Sequence, residues 1–344
     1  MTDFALILSH WYRNNQRELP WRNTVDPYKI WLSEVILQQT RVAQGLDYYH
    51  RFIDKYPTVN DLGAASEAEV LRLWQGLGYY TRARNLHAAA RYIVKELNGH
   101  FPDSYKGILR LKGVGEYTAA AIASIAFALP HAAVDGNVYR FLARYKGIDT
   151  PIDSGPGKKE FAAVATDLLD AQQPGQHNQA MMELGATVCK PTNPLCDKCP
   201  FVLSCVAYTA HQIDKLPVKH KSVTQKKRYF NYFFVEQEGG IYVEQRKEKD
   251  IWKNLYQLPL LETVRHTAAT RLPGMKEQQL VLLDERKHML THQLIHVRFF
   301  AAGAEVLPLL GGNYQLVHKE SLKQYPFSQL IANFINEKIG LEQD

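Results

Sequence analysis

Residues Leu111–Tyr145 read LKGVGEYTAAAIASIAFALPHAAVDGNVYRFLARY. The segment joins a short amphipathic run, Tyr105 to Leu111, to a long alanine-rich one, Tyr117 to Leu129, through Lys112-Gly113-Val114-Gly115. Glycine tolerates positive φ and close backbone approach, so Gly113 and Gly115 predict a tight hairpin between two helices. The second helix then opens with N–H groups that lack intrahelical partners, a place where a phosphate is stabilised. Asp135-Gly136-Asn137 stands just ahead of another apolar-periodic run, Val138, Phe141, Leu142 and Tyr145. Capping alone explains both the glycines and the aspartate. Whether the hairpin binds anything is decided by the rest of the chain.

Outward from this hairpin, residues 3 to 210 read as almost wholly helical. A stripe from Phe4 to Tyr12 comes first, then a loop at Leu19-Pro20-Trp21-Arg22, then a helix from Tyr28 to about Val42 with Pro27 at its first position. Further helices are predicted over Tyr48–Tyr56, Glu67–Trp74, Arg82–Leu97, Lys158–Leu169 and Gln176–Val188, separated by glycine, proline and asparagine turns. Lys215–Arg228 (KLPVKHKSVTQKKR) is basic and poor in large apolar residues, which predicts a linker. Beyond it, Tyr229–Val235, Ile241–Gln245 and Val297–Ala301 are aromatic and β-branched and read as strands, and Ser328–Ile339 reads as a closing helix. The division expected is a helical domain at 1–210, a linker at 211–227 and an α+β domain at 228–344.

At 344 residues the chain has room for two cores, and 46% hydrophobic with 22% charged residues is an ordinary globular composition. A net charge of +6 permits nucleic acid binding without requiring it. The opening MTDFALILSHWYRNNQ lacks a basic leader and a cleavage site, so no signal peptide is expected. No apolar run reaches the roughly 20 residues that span a bilayer. All four cysteines, Cys189, Cys196, Cys199 and Cys205, fall in one C-x6-C-x2-C-x5-C stretch. That is a local metal site and not a disulfide frame, which implies a reducing, intracellular setting. Four thiolates suit tetrahedral zinc, whereas one compact loop also suits a [4Fe–4S] cube.

Two carboxylates stand out. Glu34 sits among Ile30, Trp31, Val35, Ile36 and Leu37, where ionisation is costly and a raised pKa is expected. Asp135, at a helix N-terminus, is expected in the opposite environment, one favouring its charge. Carboxylates pushed apart in this way serve as an acid and a charge stabiliser.

Taken together, the Gly-Val-Gly hairpin, the aspartate 20 residues beyond it and the cysteine spacing resemble the endonuclease III superfamily of DNA glycosylases. LPWR, WLSEVILQQT, GLGYYTRARNL, VDGNV and NQAMMELG are similar to the MutY-type adenine glycosylases within it. The resemblance covers nearly all of residues 4–210 and implies an all-α helix-hairpin-helix glycosylase domain with a [4Fe–4S] cluster on the four cysteines. It assigns Glu34 as the acid acting on adenine and Asp135 as stabiliser of the sugar cation, with Tyr117 and Asn137 beside them. Tyr117 stands where lyase members carry a lysine, so release of the base without strand cleavage is expected. Trp21, Arg22, Leu37, Gln38 and Gln179 are assigned to the base pocket and its surroundings. Gln39 would fill the vacated space, Tyr79 would wedge beside the opposite base, and Gly113 and Gly115 would contact the backbone. Arg82, Arg84, Arg91 and the basic linker offer further phosphate contacts.

The second half resembles a Nudix-like module that recognises 8-oxoguanine, without the glycine-, arginine- and glutamate-rich box of Nudix hydrolases. Leu290-Thr291-His292 takes the place of a Phe-Ser-His reading turn, with Thr291 and His292 as the contacts. The expectation is a monomeric, cytoplasmic glycosylase, nucleoid-associated through DNA and with no membrane partner, acting on adenine opposite 8-oxoguanine or guanine in duplex DNA. The rivals are a same-fold glycosylase for another base and a non-catalytic iron–sulfur DNA-binding protein.

Overall fold

The computed structural model describes residues 2–220, 225–265 and 280–340. The chain forms two compact units, Met1–Ala64 with Asn85–Lys221, and Ala65–Arg84 with Ser222–Asp344. Residues 221–224 of the expected linker lie outside the described residues, and Lys226–Arg228 at its end already belong to a strand.

In chain order the helices are α1 (Asp3–Asn15), α2 (Pro27–Leu37), α3 (Val42–Lys55), α4 (Val59–Ala64), α5 (Glu67–Leu73) and α6 (Thr81–Glu96). They continue with α7 (Tyr105–Leu109), α8 (Glu116–Phe127), α9 (Gly136–Lys146), α10 (Gly155–Leu168), α11 (Pro174–Thr187) and α12 (Val206–Thr209). Their starts follow local chemistry. Thr2 caps α1, Asp26 caps α2 ahead of Pro27, and Ser66 with Glu69 closes a reciprocal capping box on α5. The helix expected from Tyr28 to Val42 breaks early: α2 ends at Leu37 and the chain passes through Gln39 at φ +57° before α3. A left-handed glutamine costs on the order of 1–3 kcal/mol and persists only where its surroundings impose it.

At the hairpin, Gly113 has φ +82°, and a Cβ there would stand 2.7 Å from Asn85 Cβ, so the position excludes any side chain. Gly115 differs from expectation. Its φ of −100° suits any residue, and it serves as the N-cap of α8. The core of the first unit gathers apolar faces of α1, α9 and α11, including Leu8, Trp11, Phe141, Leu142 and Leu184. The crossing of α9 and α11 is close: a methyl group on Gly185 would stand 2.7 Å from both Cβ and O of Asn137.

The second unit carries β1 (Lys226–Phe234), β2 (Glu236–Gln237), β3 (Gly240–Gln245), β4 (Tyr256–Gln257), β5 (Leu260–Thr263), β6 (Val281–Met289), β7 (Gln293–Ala301) and β8 (Gln315–His318). One sheet has the order β5-β1-β7-β6, with β1 and β7 parallel in the register Phe230↔Val297; the other joins β2, β3, β4 and β8. After the short α13 (Leu307–Leu310), α14 (Gln329–Ile339) closes the chain on its Ser328 cap and packs Phe334 flat on Phe299 at 3.8 Å. β6 lies at the sheet edge, with burial on neither face complete, so its sequence lacks a clean apolar–polar alternation.

Candidate active site and cysteine cavity

Glu34 lies in the last turn of α2, beside the fully buried Trp31. The Tyr117 phenol, one residue into α8, donates to Glu34 Oε2 at 2.7 Å and also lies 3.1 Å from Met182 Sδ on α11. Burial raises the Glu34 pKa to about 7; the Tyr117 hydrogen bond works against this and the nearby Asp135 charge adds to it. The Tyr117 phenol is itself held well above its ordinary value by burial and by the Glu34 charge, so it remains a donor. The first part of the carboxylate expectation is thereby met in its physical cause.

Asp135 is the N-cap of α9: Oδ1 accepts from the N–H groups of Asn137 at 2.9 Å and Val138 at 2.8 Å, and Oδ2 accepts from Asn137 Nδ2 at 2.7 Å. Its environment departs from expectation. Burial raises its pKa, and the three hydrogen bonds with the Arg140 charge offset that only in part. The helix terminus is there, but desolvation outweighs it. The two carboxylates still differ, because Asp135 alone has donors aimed at its charged form from a helix terminus, while the charge on Asp135 favours the proton on Glu34.

Arg140, one turn into α9, was not singled out from the sequence. Its guanidinium donates to Asn137 Oδ1 at 2.9 Å, to Gly185 O at 2.7 Å and to Cys189 O at 2.7 Å. One side chain thus ties the amide that holds Asp135 to the start of the cysteine loop. Only its spacing from Asp135 on an amphipathic helix could have marked it.

Of the residues assigned to the base pocket, Trp21 is buried against Tyr49, ring centroids 5.1 Å apart, and Leu37 is half-buried. Gln38 Nε2 donates to Thr118 Oγ1 at 3.3 Å, and Gln39 is exposed in its left-handed conformation. Arg22 is committed to Glu183, which accepts its Nη2 at 2.6 Å and the Nη2 of Arg17 at 2.7 Å. Burial alone would raise Glu183, but the two guanidiniums hold it down at about 2. Within NQAMMELG, Glu183 carries the same signal as Glu34, an acid between apolar residues, Met182 and Leu184, on a helix. Gln179 lies one turn before Met182 and Glu183 on α11, and its Oε1 accepts from Tyr12 at 3.1 Å.

In the second unit, Tyr79 follows Gly76 and Gly78 and is itself left-handed at φ +48°. Its phenol is 2.5 Å from Thr291 Oγ1. Leu290-Thr291-His292 forms the turn between β6 and β7, with Leu290 packed on the core and Thr291 and His292 exposed. Arg82 and Arg84 are not solvated cations. Arg82 lies over Trp74 at 5.1 Å and donates to Leu77 O and Gly78 O, and Arg84 donates to Lys253 O. Their charge is spent on holding the Gly76–Tyr79 turn and the Lys253 backbone.

The four cysteines line one partly open cavity, walled also by Phe141, Arg144 and Tyr145. Among the described residues, no three or more His, Cys, Asp or Glu are drawn together as ligands of a single ion. The sulfur atoms have polar partners of their own. Cys199 accepts a backbone N–H from Phe201 and Cys205 accepts from Ala207 and Tyr208, while Arg144 Nη1 lies 3.5 Å from Cys189 Sγ. Such hydrogen bonds to sulfur and a partly buried cavity are what tune an iron–sulfur cluster.

A model of the HhH-GPD superfamily of base excision DNA repair proteins matches residues 32–165, and a NUDIX domain model matches residues 231–337. The chain is 30% identical over 308 residues to an adenine DNA glycosylase of Buchnera aphidicola subsp. Acyrthosiphon pisum, covering 86% of this chain and 85% of that protein. It is 46% identical over 225 residues to the adenine DNA glycosylase of Mus musculus, covering 63% of this chain and 44% of that one. Among solved structures it is similar to a thermostable thymine-DNA glycosylase, with TM-score 0.55 and 29% identity over 60% of this chain and 95% of the other. A non-covalent endonuclease III–DNA complex matches with TM-score 0.52 at 23% identity, over 61% of this chain and 99% of that one, a likeness of fold.

Proposed function

The chain belongs to the adenine DNA glycosylase family, and from that premise we propose that it hydrolyses the N-glycosidic bond of adenine mispaired with 8-oxoguanine or guanine in duplex DNA. The observation that carries the reading is the Glu34–Tyr117–Asp135 constellation. Adenine leaves poorly as an anion, so the reaction needs a proton donor near neutral pH, and Glu34 with a pKa of about 7 meets that need. The sugar passes through an oxocarbenium-like state, and Asp135, fixed by three donors, is the anion that stabilises it. The buried, protonated Tyr117 supplies no amine for a Schiff base, which supports base release without strand cleavage.

The target base has to leave the stack to meet Glu34. Gln39 and Tyr79, both left-handed and partly or largely exposed, are the residues we assign to the space it vacates and to its partner strand. The Gly113 hairpin and the first turn of α8 would take a phosphate. Cys189, Cys196, Cys199 and Cys205 would hold a [4Fe–4S] cluster, whose role there is to fix the loop that Arg140 and Arg144 grip. In the second unit, Thr291 and His292 would read the base opposite adenine.

Incubation with duplexes carrying A opposite 8-oxoguanine, G, C or T, followed by alkali, tests the reading. Cleavage confined to the adenine strand and strongest opposite 8-oxoguanine is the expected result. Release of thymine or an oxidised pyrimidine in place of adenine would reassign the substrate.

A further inference from the structure

Tyr12 lies on α1, distant in sequence from the carboxylates, and is 2% exposed. Its phenol donates to Gln179 Oε1 at 3.1 Å. The ring is fixed on its other side, for the Arg22 guanidinium lies 5.5 Å from its centroid. That guanidinium is in turn held by Glu183 through Nη2 and by Arg17 O through Nη1 at 2.9 Å. Gln179, Met182 and Glu183 share one face of α11, and Met182 touches the Tyr117 phenol that serves Glu34. The Gln179 amide thus stands one helical turn from the methionine that meets Tyr117, with its carbonyl end turned to Tyr12.

An amide has a donor end and an acceptor end of nearly the same shape, so a pocket that reads a base with one must prevent it from turning over. We propose that Tyr12 is a positioning residue for base selection, which engages the Gln179 carbonyl so that one end of the amide faces the extruded base. The proposal rests on the reading of Gln179 as a wall of the base pocket. Adenine and hypoxanthine are the informative pair, because donor and acceptor are exchanged along their Watson–Crick edges. A fixed amide distinguishes them, and an amide that can turn over accommodates both.

The test is a double-mutant cycle on the full chain, Tyr12→Phe, Gln179→Ala and both together. Each is assayed in single turnover on duplexes carrying adenine or hypoxanthine opposite 8-oxoguanine, with thermal melting alongside. Phenylalanine keeps the buried ring and removes only the hydroxyl. Tyr12→Phe is expected to lower adenine excision about tenfold, the loss of one ordinary hydrogen bond expressed as a rate. It should also narrow the adenine-to-hypoxanthine ratio, and have no further effect once Gln179 is alanine. Loss of packing alone would lower both substrates equally and persist in the Gln179→Ala background; either outcome overturns the proposal. If Gln179→Ala leaves rate and ratio unchanged, the pocket assignment of Gln179 itself fails. If Gln179→Ala is impaired while Tyr12→Phe keeps the wild-type ratio, Tyr12 alone is excluded.

Discussion

The Tyr117 phenol donates to Glu34 Oε2 at 2.7 Å, joining the helix that follows the glycine hairpin to the last turn of α2. Opposed to burial, it is the contact that keeps the Glu34 pKa from rising further. Burial is the larger influence on Glu34, and this bond tempers it.

Glu34→Gln should lower excision by about 10²–10⁴-fold, the usual worth of a general acid, while duplex binding in a filter or anisotropy assay stays near wild type. In the wild type, Glu34 is competent while protonated, so excision under limiting enzyme should fall as pH rises through about 7. Residual activity of the variant should lack that limb.

The same shift has a stability consequence that runs in the same direction with pH. The folded pKa of Glu34, about 7, lies above its ordinary 4.5. Stability associated with its proton is complete below the lower value and is lost as pH rises through the upper one. Glu34→Gln should therefore melt higher than wild type at pH 8, by roughly 1–3 kcal/mol in stability, and nearly equally at pH 4.

Tyr117→Phe removes a hydrogen bond that favours the charged carboxylate. The alkaline limb of the excision profile should then move to higher pH. A limb that stays in place would mean that Tyr117 does not act on the proton of Glu34.

Asn137→Ala deletes one of the three donors to Asp135 and leaves the Arg140 guanidinium without its side-chain acceptor on α9. The Asp135 pKa should rise further, and excision should fall about ten- to a hundredfold, consistent with one or two charge-assisted hydrogen bonds. Chemical-quench rates at saturating enzyme separate this from any loss of binding.

Tyr79 and Thr291 are linked at 2.5 Å, and each is assigned to the mispair from its own side of the second unit. Tyr79→Phe and Thr291→Ala should each reduce the preference for A opposite 8-oxoguanine over A opposite G, by about three- to tenfold, as fits one contact. The double variant should be no worse than the poorer single one. Additive losses in binding ratios would show two independent contacts.

What could be read from the chain followed local chemistry. Asp135 as a cap, Gly113 at positive φ, the burial of Glu34 and the strand character of Tyr229–Val235 all depend on neighbours within a few residues. The helix break at Gln39 was not legible, because WLSEVILQQTRV has good helical spacing throughout and no glycine or proline to mark the turn. Nor was the balance at Asp135, where the helix terminus can be inferred from DGNV but the desolvation that outweighs it cannot. The contacts of Arg140 with Gly185 and Cys189 span more than forty positions, and no periodicity encodes them.

Gly185 likewise depends on a neighbour far away in sequence. Its backbone lies against Asn137 so closely that even alanine would push on the Cβ and carbonyl of the residue that holds Asp135. A survey of variants ranked by side-chain chemistry would score glycine to alanine in a helix as mild, and helix propensity would score it as favourable. In this chain it amounts to a change beside Asp135, the residue proposed to stabilise the sugar cation, although Gly185 has no side chain of its own to offer.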